Sequence, residues 1–188
     1  MNLPNMLTIF RMVLVFVFIK LFLADSLASM IAACFVFAIA SITDYLDGYI
    51  AKKYDLITDF GKIMDPIADK FLMLAAFYLF AGFGLISIWM FVVIAIREAG
   101  VTALRLIALK RKDVLAAENL GKVKTVSQIV AISVILIYIV LKKVFPGWTQ
   151  SAQGSNGLVI AFINMLMYIV VGLTVISGVQ FLNNLKKD

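Results

Sequence analysis

The sequence predicts an all-α, polytopic membrane protein with six transmembrane helices and both termini on the cytoplasmic side. Three observations carry that reading. The 188 residues are 63% hydrophobic, with a mean hydropathy of +1.04, more apolar than a water-soluble domain of this size. The apolar residues fall into six runs of the length a membrane span requires, about 20 residues each. The lysines and arginines gather in alternate loops, which sets the orientation.

The six runs are Met6–Ala24, Leu27–Tyr49, Ile63–Phe83, Ile86–Leu109, Thr125–Phe145 and Leu158–Leu182. The first is expected to be a span rather than a cleaved leader. No basic residue precedes Pro4, and Arg11 stands inside the run. The second, third and fourth runs are charged at one end only. Pro66 is expected in the first turn or so of the third, where proline is tolerated. No internal repeat or low-complexity tract interrupts the order, so residues 1–188 read as one membrane domain.

The loop after the second run holds Lys52, Lys53 and Lys62. The loop after the fourth holds Lys110, Arg111, Lys112, Lys122 and Lys124, and the C-terminus adds Lys186 and Lys187. The opposite loops, "ADS" and "GFGLIS", carry none, and only Lys142 and Lys143 break the pattern. The net charge of +6 suits a face that meets anionic headgroups or anionic substrates. There is no histidine, which removes histidine metal sites and Ser-His-Asp hydrolysis. A general base must then be Asp, Glu, Lys, Tyr or water. The single cysteine, Cys34, cannot form an intrachain disulfide and reads as packing.

One stretch does not fit an apolar chain. "DYLDGYIAKKYDLITDFGKIMDPIADK" runs from Asp44 to Lys70 and holds six aspartates. Asp44 and Asp47 are three apart, Asp65 and Asp69 four apart, so each pair shares a helix face. A short connection makes the two helices antiparallel neighbours, which lets the pairs face each other at similar depth. Four carboxylates so placed repel strongly unless a cation sits between them. Hard oxygen donors in that number suit Mg²⁺ or Mn²⁺, with room for two ions. The bland alternative is an interfacial aspartate paired with a lysine, and Asp55 and Asp59 read that way. Intramembrane acids are costly and usually functional, which favours the metal reading for the other four.

The string Asp44-x2-Asp47-Gly48-x2-Ala51-Lys52-x8-Gly61-x3-Asp65-x3-Asp69 resembles the signature of the CDP-alcohol phosphotransferases, D-x2-D-G-x2-A-R-x8-G-x3-D-x3-D. Every spacing matches, and seven of the eight fixed residues do. The departure is Lys52 in place of arginine, which keeps the charge and loses the planar fork. The six-span plan is similar too, so the resemblance covers essentially the whole chain. It implies that Asp44, Asp47, Asp65 and Asp69 ligate Mg²⁺ or Mn²⁺, and that Asp69 also serves as base. It implies that Asp47, Gly48, Ala51, Lys52 and Gly61, with Asn5 and Thr8, contact the CDP-linked donor. Members transfer a phosphatidyl-type group to an alcohol and release CMP. A homodimer in a bacterial cell membrane, with the site at the cytoplasmic face, follows from the same resemblance. No nucleic-acid partner is expected.

The acceptor is read from the basic residues. "IREAGVTALR" places Arg97 and Arg105 eight apart on one face, and "GKVKT" places Lys122 and Lys124 at the start of the fifth run. Arg11 in "LPNMLTIFR" joins them as a further cation bordering a span. Cations inside or beside spans point to an anionic acceptor, with Glu98 as an ion-pair partner. These segments resemble the branch of the family that uses CDP-diacylglycerol and glycerol 3-phosphate. Members using inositol phosphate or serine, or forming cardiolipin, are the alternatives within the family. A divalent-cation transporter is the alternative outside it, and a purely structural membrane subunit leaves the aspartates unexplained. Against a transporter, the acids cluster at one membrane face and no second Asp pair repeats the pattern.

Overall fold

The computed structural model describes residues 3–53, 59–111, 119–145 and 155–185, and the side chains of residues 6–44, 64, 67, 68, 70–107, 121–145 and 157–184. The elements are α1 (Leu3–Leu23), α2 (Leu27–Lys53), α3 (Asp59–Gly82), α4 (Ile88–Arg111), α5 (Asn119–Val144) and α6 (Ser155–Leu185). Among the described residues all regular structure is helical. Each helix contains one of the apolar runs or nearly so.

Four of them, α1, α2, α5 and α6, hold stretches long and apolar enough to cross a membrane. In α3 the described apolar stretch is Lys70–Gly82, and Asp59, Lys62, Asp65 and Asp69 precede it. Arg97, Glu98 and Arg105 interrupt the apolar run of α4. The helices also expose large apolar side chains outward: Phe16, Phe35, Ile96 and Leu158 are each more than 60% exposed. Water does not tolerate such a surface, whereas lipid does.

Pro66 corrects the sequence expectation. The third helix begins at Asp59, so Pro66 is an interior residue, eighth along the helix. Proline has no N–H there, which releases the Lys62 carbonyl from the helical ladder. Transmembrane helices tolerate such breaks when neighbours re-satisfy the backbone.

Two compact units divide the chain. The first holds α1, α2, α3 as far as Leu79, and the end of α5 from Leu136. Here α1 and α2 form an antiparallel hairpin. Its turn ends in a capping box: Ser26 Oγ accepts from the Ser29 N–H at 3.1 Å, and Ser29 Oγ accepts from the Ser26 N–H at 3.0 Å. Asp25 precedes it in the left-handed region, at φ 50°. Lys143 holds that residue, donating to its carboxylate at 2.8 Å and to its carbonyl at 2.6 Å. This gives Lys143, an exception to the loop-charge pattern, a local partner. Phe18 packs on Phe22 and Phe37 with ring centroids 6.1 Å apart in both pairs, and fully buried Ala33 and Ala40 let the helices approach.

The second unit holds the last residues of α3, then α4, α5 as far as Ile135, and α6. The end of α3 is a Schellman motif around Gly84, at φ 69°. Leu85 N–H reaches the Phe80 carbonyl at 2.9 Å and Gly84 N–H the Ala81 carbonyl at 3.1 Å. The contacts between α4 and α6 advance in step along both chains: Trp89 with Tyr168, Arg97 with Ser177, Arg105 with Phe181. The two helices therefore run parallel.

Candidate active site

Asp44 ends the described side chains of α2. Its Oδ1 lies 2.8 Å from Arg11 NH1 on α1. The Arg11 side chain is 1% exposed and that of Asp44 is 40% exposed. A guanidinium buried so deeply needs a counter-charge, and the antiparallel register that brings Phe18 to Phe37 also brings Arg11 to Asp44. Thr8, one turn earlier on the same face of α1, is buried at 2% exposure. Ser41, one turn before Asp44 on α2, has a buried hydroxyl with no hydrogen-bond partner. Arg11, which the sequence reading set beside the cations of the fourth and fifth runs, is paired here with the first aspartate of the motif.

The other motif positions are placed by their helices alone. Asp47, Gly48, Ala51 and Lys52 continue α2 without a break, and Gly61, Asp65 and Asp69 lie on α3. Helical spacing keeps Asp44 with Asp47 and Asp65 with Asp69 on common faces, as expected. Their side chains, and that of Asn5, lie outside the described residues, as does Asp55 altogether. Asp59, read as a loop residue, is the first residue of α3. Among the described residues no group of three acidic or thiol ligands comes together, and Asp44 is the one motif aspartate so described. The donor set is chemically right for a hard divalent ion, and the orphaned Ser41 hydroxyl one turn away is a polar atom in want of a partner.

In the second unit, the four cations expected from sequence lie on α4 and α5. Lys124 is fully buried and forms an ion pair with Glu98, whose side chain is 2% exposed. Arg97 NH1 lies 3.5 Å from the same Glu98 oxygen, and Arg97 NH2 donates to Ser177 Oγ at 3.0 Å. Gln128 donates to Glu98 Oε1 at 3.3 Å, while its own Oε1 is buried with no partner. Two cations therefore share one carboxylate oxygen among the described residues. Arg105 is exposed and lies over the Phe181 ring, 5.9 Å from its centroid. Lys122, two residues before Lys124, is exposed.

The sequence reading anticipated Glu98 as a partner and missed Ser177, Gly178 and Gln128. Arg97 packs so closely on Gly178 that a Cβ there would lie 3.2 Å from the Arg97 Cγ. The polar spacing of Thr174, Ser177 and Gln180 on an otherwise apolar helix was the available signal. The buried hydroxyls of Thr174 and Ser177 otherwise turn back to their own helix, reaching the Val170 carbonyl at 2.7 Å and the Thr174 carbonyl at 3.1 Å.

A bundle of apolar helices carrying this acid motif defines a class. The model of the CDP-alcohol phosphatidyltransferase family matches residues 1–178, and the chain belongs to that family. Among its relatives is the CDP-diacylglycerol–glycerol-3-phosphate 3-phosphatidyltransferase of Bacillus subtilis, 36% identical over 96% of this chain and 93% of the relative. The enzyme of that name from Rickettsia bellii is 33% identical over 99% of this chain and 96% of its own. A probable phosphatidylglycerophosphate synthase of Mycobacterium tuberculosis is 37% identical over the whole of this chain and 83% of its own.

Proposed function

We propose that this chain transfers the phosphatidyl group of CDP-diacylglycerol to a hydroxyl of glycerol 3-phosphate, giving phosphatidylglycerophosphate and CMP. The names of its relatives support the reaction class. The single observation that favours a phosphorylated acceptor is the buried cluster of Arg97, Lys124 and Glu98, with two cations on one carboxylate. Cations gathered in and beside a span suit an acceptor phosphate better than a neutral alcohol or zwitterionic serine.

Divalent ions serve this family; Asp44, Asp47, Asp65 and Asp69 would hold one or two, Mg²⁺ or Mn²⁺. Such ions neutralise pyrophosphate charge and stabilise the departing CMP. Asp69 accepts the proton of the acceptor hydroxyl as that oxygen attacks the phosphorus carrying the diacylglycerol. One P–O bond forms, the P–O bond to CMP breaks, and the proton leaves on the Asp69 carboxyl. No nucleophilic side chain is needed. Lys52 contributes a point charge to the donor phosphates. Gly48, Ala51 and Gly61 leave room for the nucleotide, and Asn5 and Thr8 supply polar contacts from α1. Lys124, Arg105, Arg97 and Lys122 serve the acceptor phosphate.

One contact supports the six-span topology. Lys143 at the end of α5 holds Asp25 at the end of α1, so both ends lie on one side of the membrane. An even number of crossings separates them; α2 and α5 supply two, so α3 and α4 cross together or not at all. Each has 24 residues, roughly 36 Å at 1.5 Å per residue, enough for a core about 30 Å thick. That length supports both crossing, hence six spans with the termini together on the Lys- and Arg-rich cytoplasmic side. The chain acts as one family domain and forms a homodimer.

Steady-state kinetics of Lys124→Gln, Arg105→Gln and Arg97→Gln test the acceptor assignment. A charge-assisted contact to phosphate is worth about 1.5–3 kcal/mol, or about 10- to 150-fold in affinity. The KM for glycerol 3-phosphate rises by that order in at least one variant, and the KM for CDP-diacylglycerol moves far less. Three unchanged glycerol 3-phosphate KM values overturn the assignment.

A further inference from the structure

We propose that Arg11 is a positioning residue for Asp44, fixing one carboxylate oxygen so that the other is presented to the divalent ion. The inference rests on the reading of Asp44 as a metal ligand.

Three features of the pair carry it. First, the asymmetry of burial sets which partner holds which. The Arg11 side chain is 1% exposed, while that of Asp44 is 40% exposed. The anchored group is the guanidinium, and the carboxylate stands at the open edge. Second, the contact is specific: NH1 reaches Oδ1 at 2.8 Å. With Oδ1 engaged, Oδ2 is the freer oxygen for a metal ion, and rotation about the last side-chain bond is restrained. Third, the register is fixed by packing deeper in the hairpin. Phe18, two turns along α1, packs on Phe37, two turns back along α2. Sliding either helix by a turn would separate Arg11 from Asp44 and expose a cation to the apolar interior at a cost neither helix recovers. Arg11 also lies outside the acidic motif, on a different helix, so the motif alone leaves it unassigned.

The competing account is that Asp44 merely neutralises a buried arginine. The two accounts differ in what the metal feels. Partners that orient a ligating carboxylate typically change metal affinity about 10- to 100-fold when removed. A pure counter-charge does the reverse, since removing a cation beside a metal site relieves repulsion.

The test uses the purified full-length protein in detergent, without substrate. Mn²⁺ binding is followed by the electron paramagnetic resonance signal of free Mn²⁺. Asp44→Asn checks the underlying reading: it loses Mn²⁺ binding, and wild-type affinity in that variant removes both the reading and this inference. Arg11→Gln then decides the inference. It binds Mn²⁺ about 10- to 100-fold more weakly than wild type, and Arg11→Lys falls between the two, because lysine keeps the charge and one donor but not the planar fork. Wild-type or tighter Mn²⁺ binding in Arg11→Gln overturns it. Should Arg11→Gln not fold, Arg11→Lys decides alone: weaker binding supports the positioning role, unchanged binding reduces Arg11 to a counter-charge.

Discussion

Replacing Lys124 by methionine removes a cation whose side chain is 2% exposed and leaves Glu98, equally buried, with its other partners. Those include Arg97 at 3.5 Å and Gln128 at 3.3 Å. Breaking a buried ion pair by removing one member costs about 3–5 kcal/mol. Because Arg97 still faces the carboxylate, the lower end applies, about 3 kcal/mol. Glu98→Gln is the harsher change, since it removes the carboxylate that two cations share, and the upper end applies, about 5 kcal/mol. For a chain of this length each kcal/mol is worth about 2–4 °C in melting temperature. Lys124→Met should then melt about 6–12 °C below wild type and Glu98→Gln about 10–20 °C below. The double variant removes a charge of each sign, so its loss is smaller than the sum of the two. The assay is thermal unfolding in detergent, followed by far-ultraviolet circular dichroism. Strict additivity, or melting of both single variants within 2 °C of wild type (an order-of-magnitude threshold), refutes the assigned pairing.

Three further outcomes follow. Asp69→Asn should lower kcat by about 10²–10⁴-fold, the usual worth of a general base, while CDP-diacylglycerol still binds; loss of donor binding along with turnover makes Asp69 chiefly a ligand. Gly178→Ala places a Cβ 3.2 Å from the Arg97 Cγ and pushes the guanidinium off Ser177, so the KM for glycerol 3-phosphate rises by up to about 10-fold; an unmoved KM shows that Arg97 does not serve the acceptor. Lys143→Ala releases the Asp25 turn but removes only a partly exposed pair, worth at most about 1 kcal/mol, so melting falls by no more than about 4 °C. A larger drop in circular dichroism melting means the clamp carries more of the fold.

The six helices were legible because apolar runs of span length leave few alternatives, and the loop glycines and serines mark their ends. The start of α3 was misplaced because Asp59–Lys62 looks like loop in composition, yet an acidic residue at a helix N-terminus is favourable, and Pro66 then falls inside the helix. The acid motif was legible from spacing alone, since both pairs lie within single helices. What spacing does not reveal is partnership between helices. Arg11 and Asp44 are brought together by the hairpin register, Arg97 and Ser177 by the pairing of α4 with α6. Neither depends on any local pattern. The membrane character of α3 and α4 was weakened for a related reason: the charges that interrupt their apolar runs are the ones the proposed chemistry uses.

The central claim is the reaction itself. Purified protein is incubated with CDP-diacylglycerol, Mg²⁺ or Mn²⁺, and in turn glycerol 3-phosphate, inositol phosphate, serine, phosphatidylglycerol or glycerol, and released CMP is measured. The account predicts CMP release that requires the divalent ion and is fastest with glycerol 3-phosphate, with phosphatidylglycerophosphate as co-product. Faster release with serine or free glycerol contradicts the phosphorylated acceptor, and no CMP release with any acceptor contradicts the account as a whole.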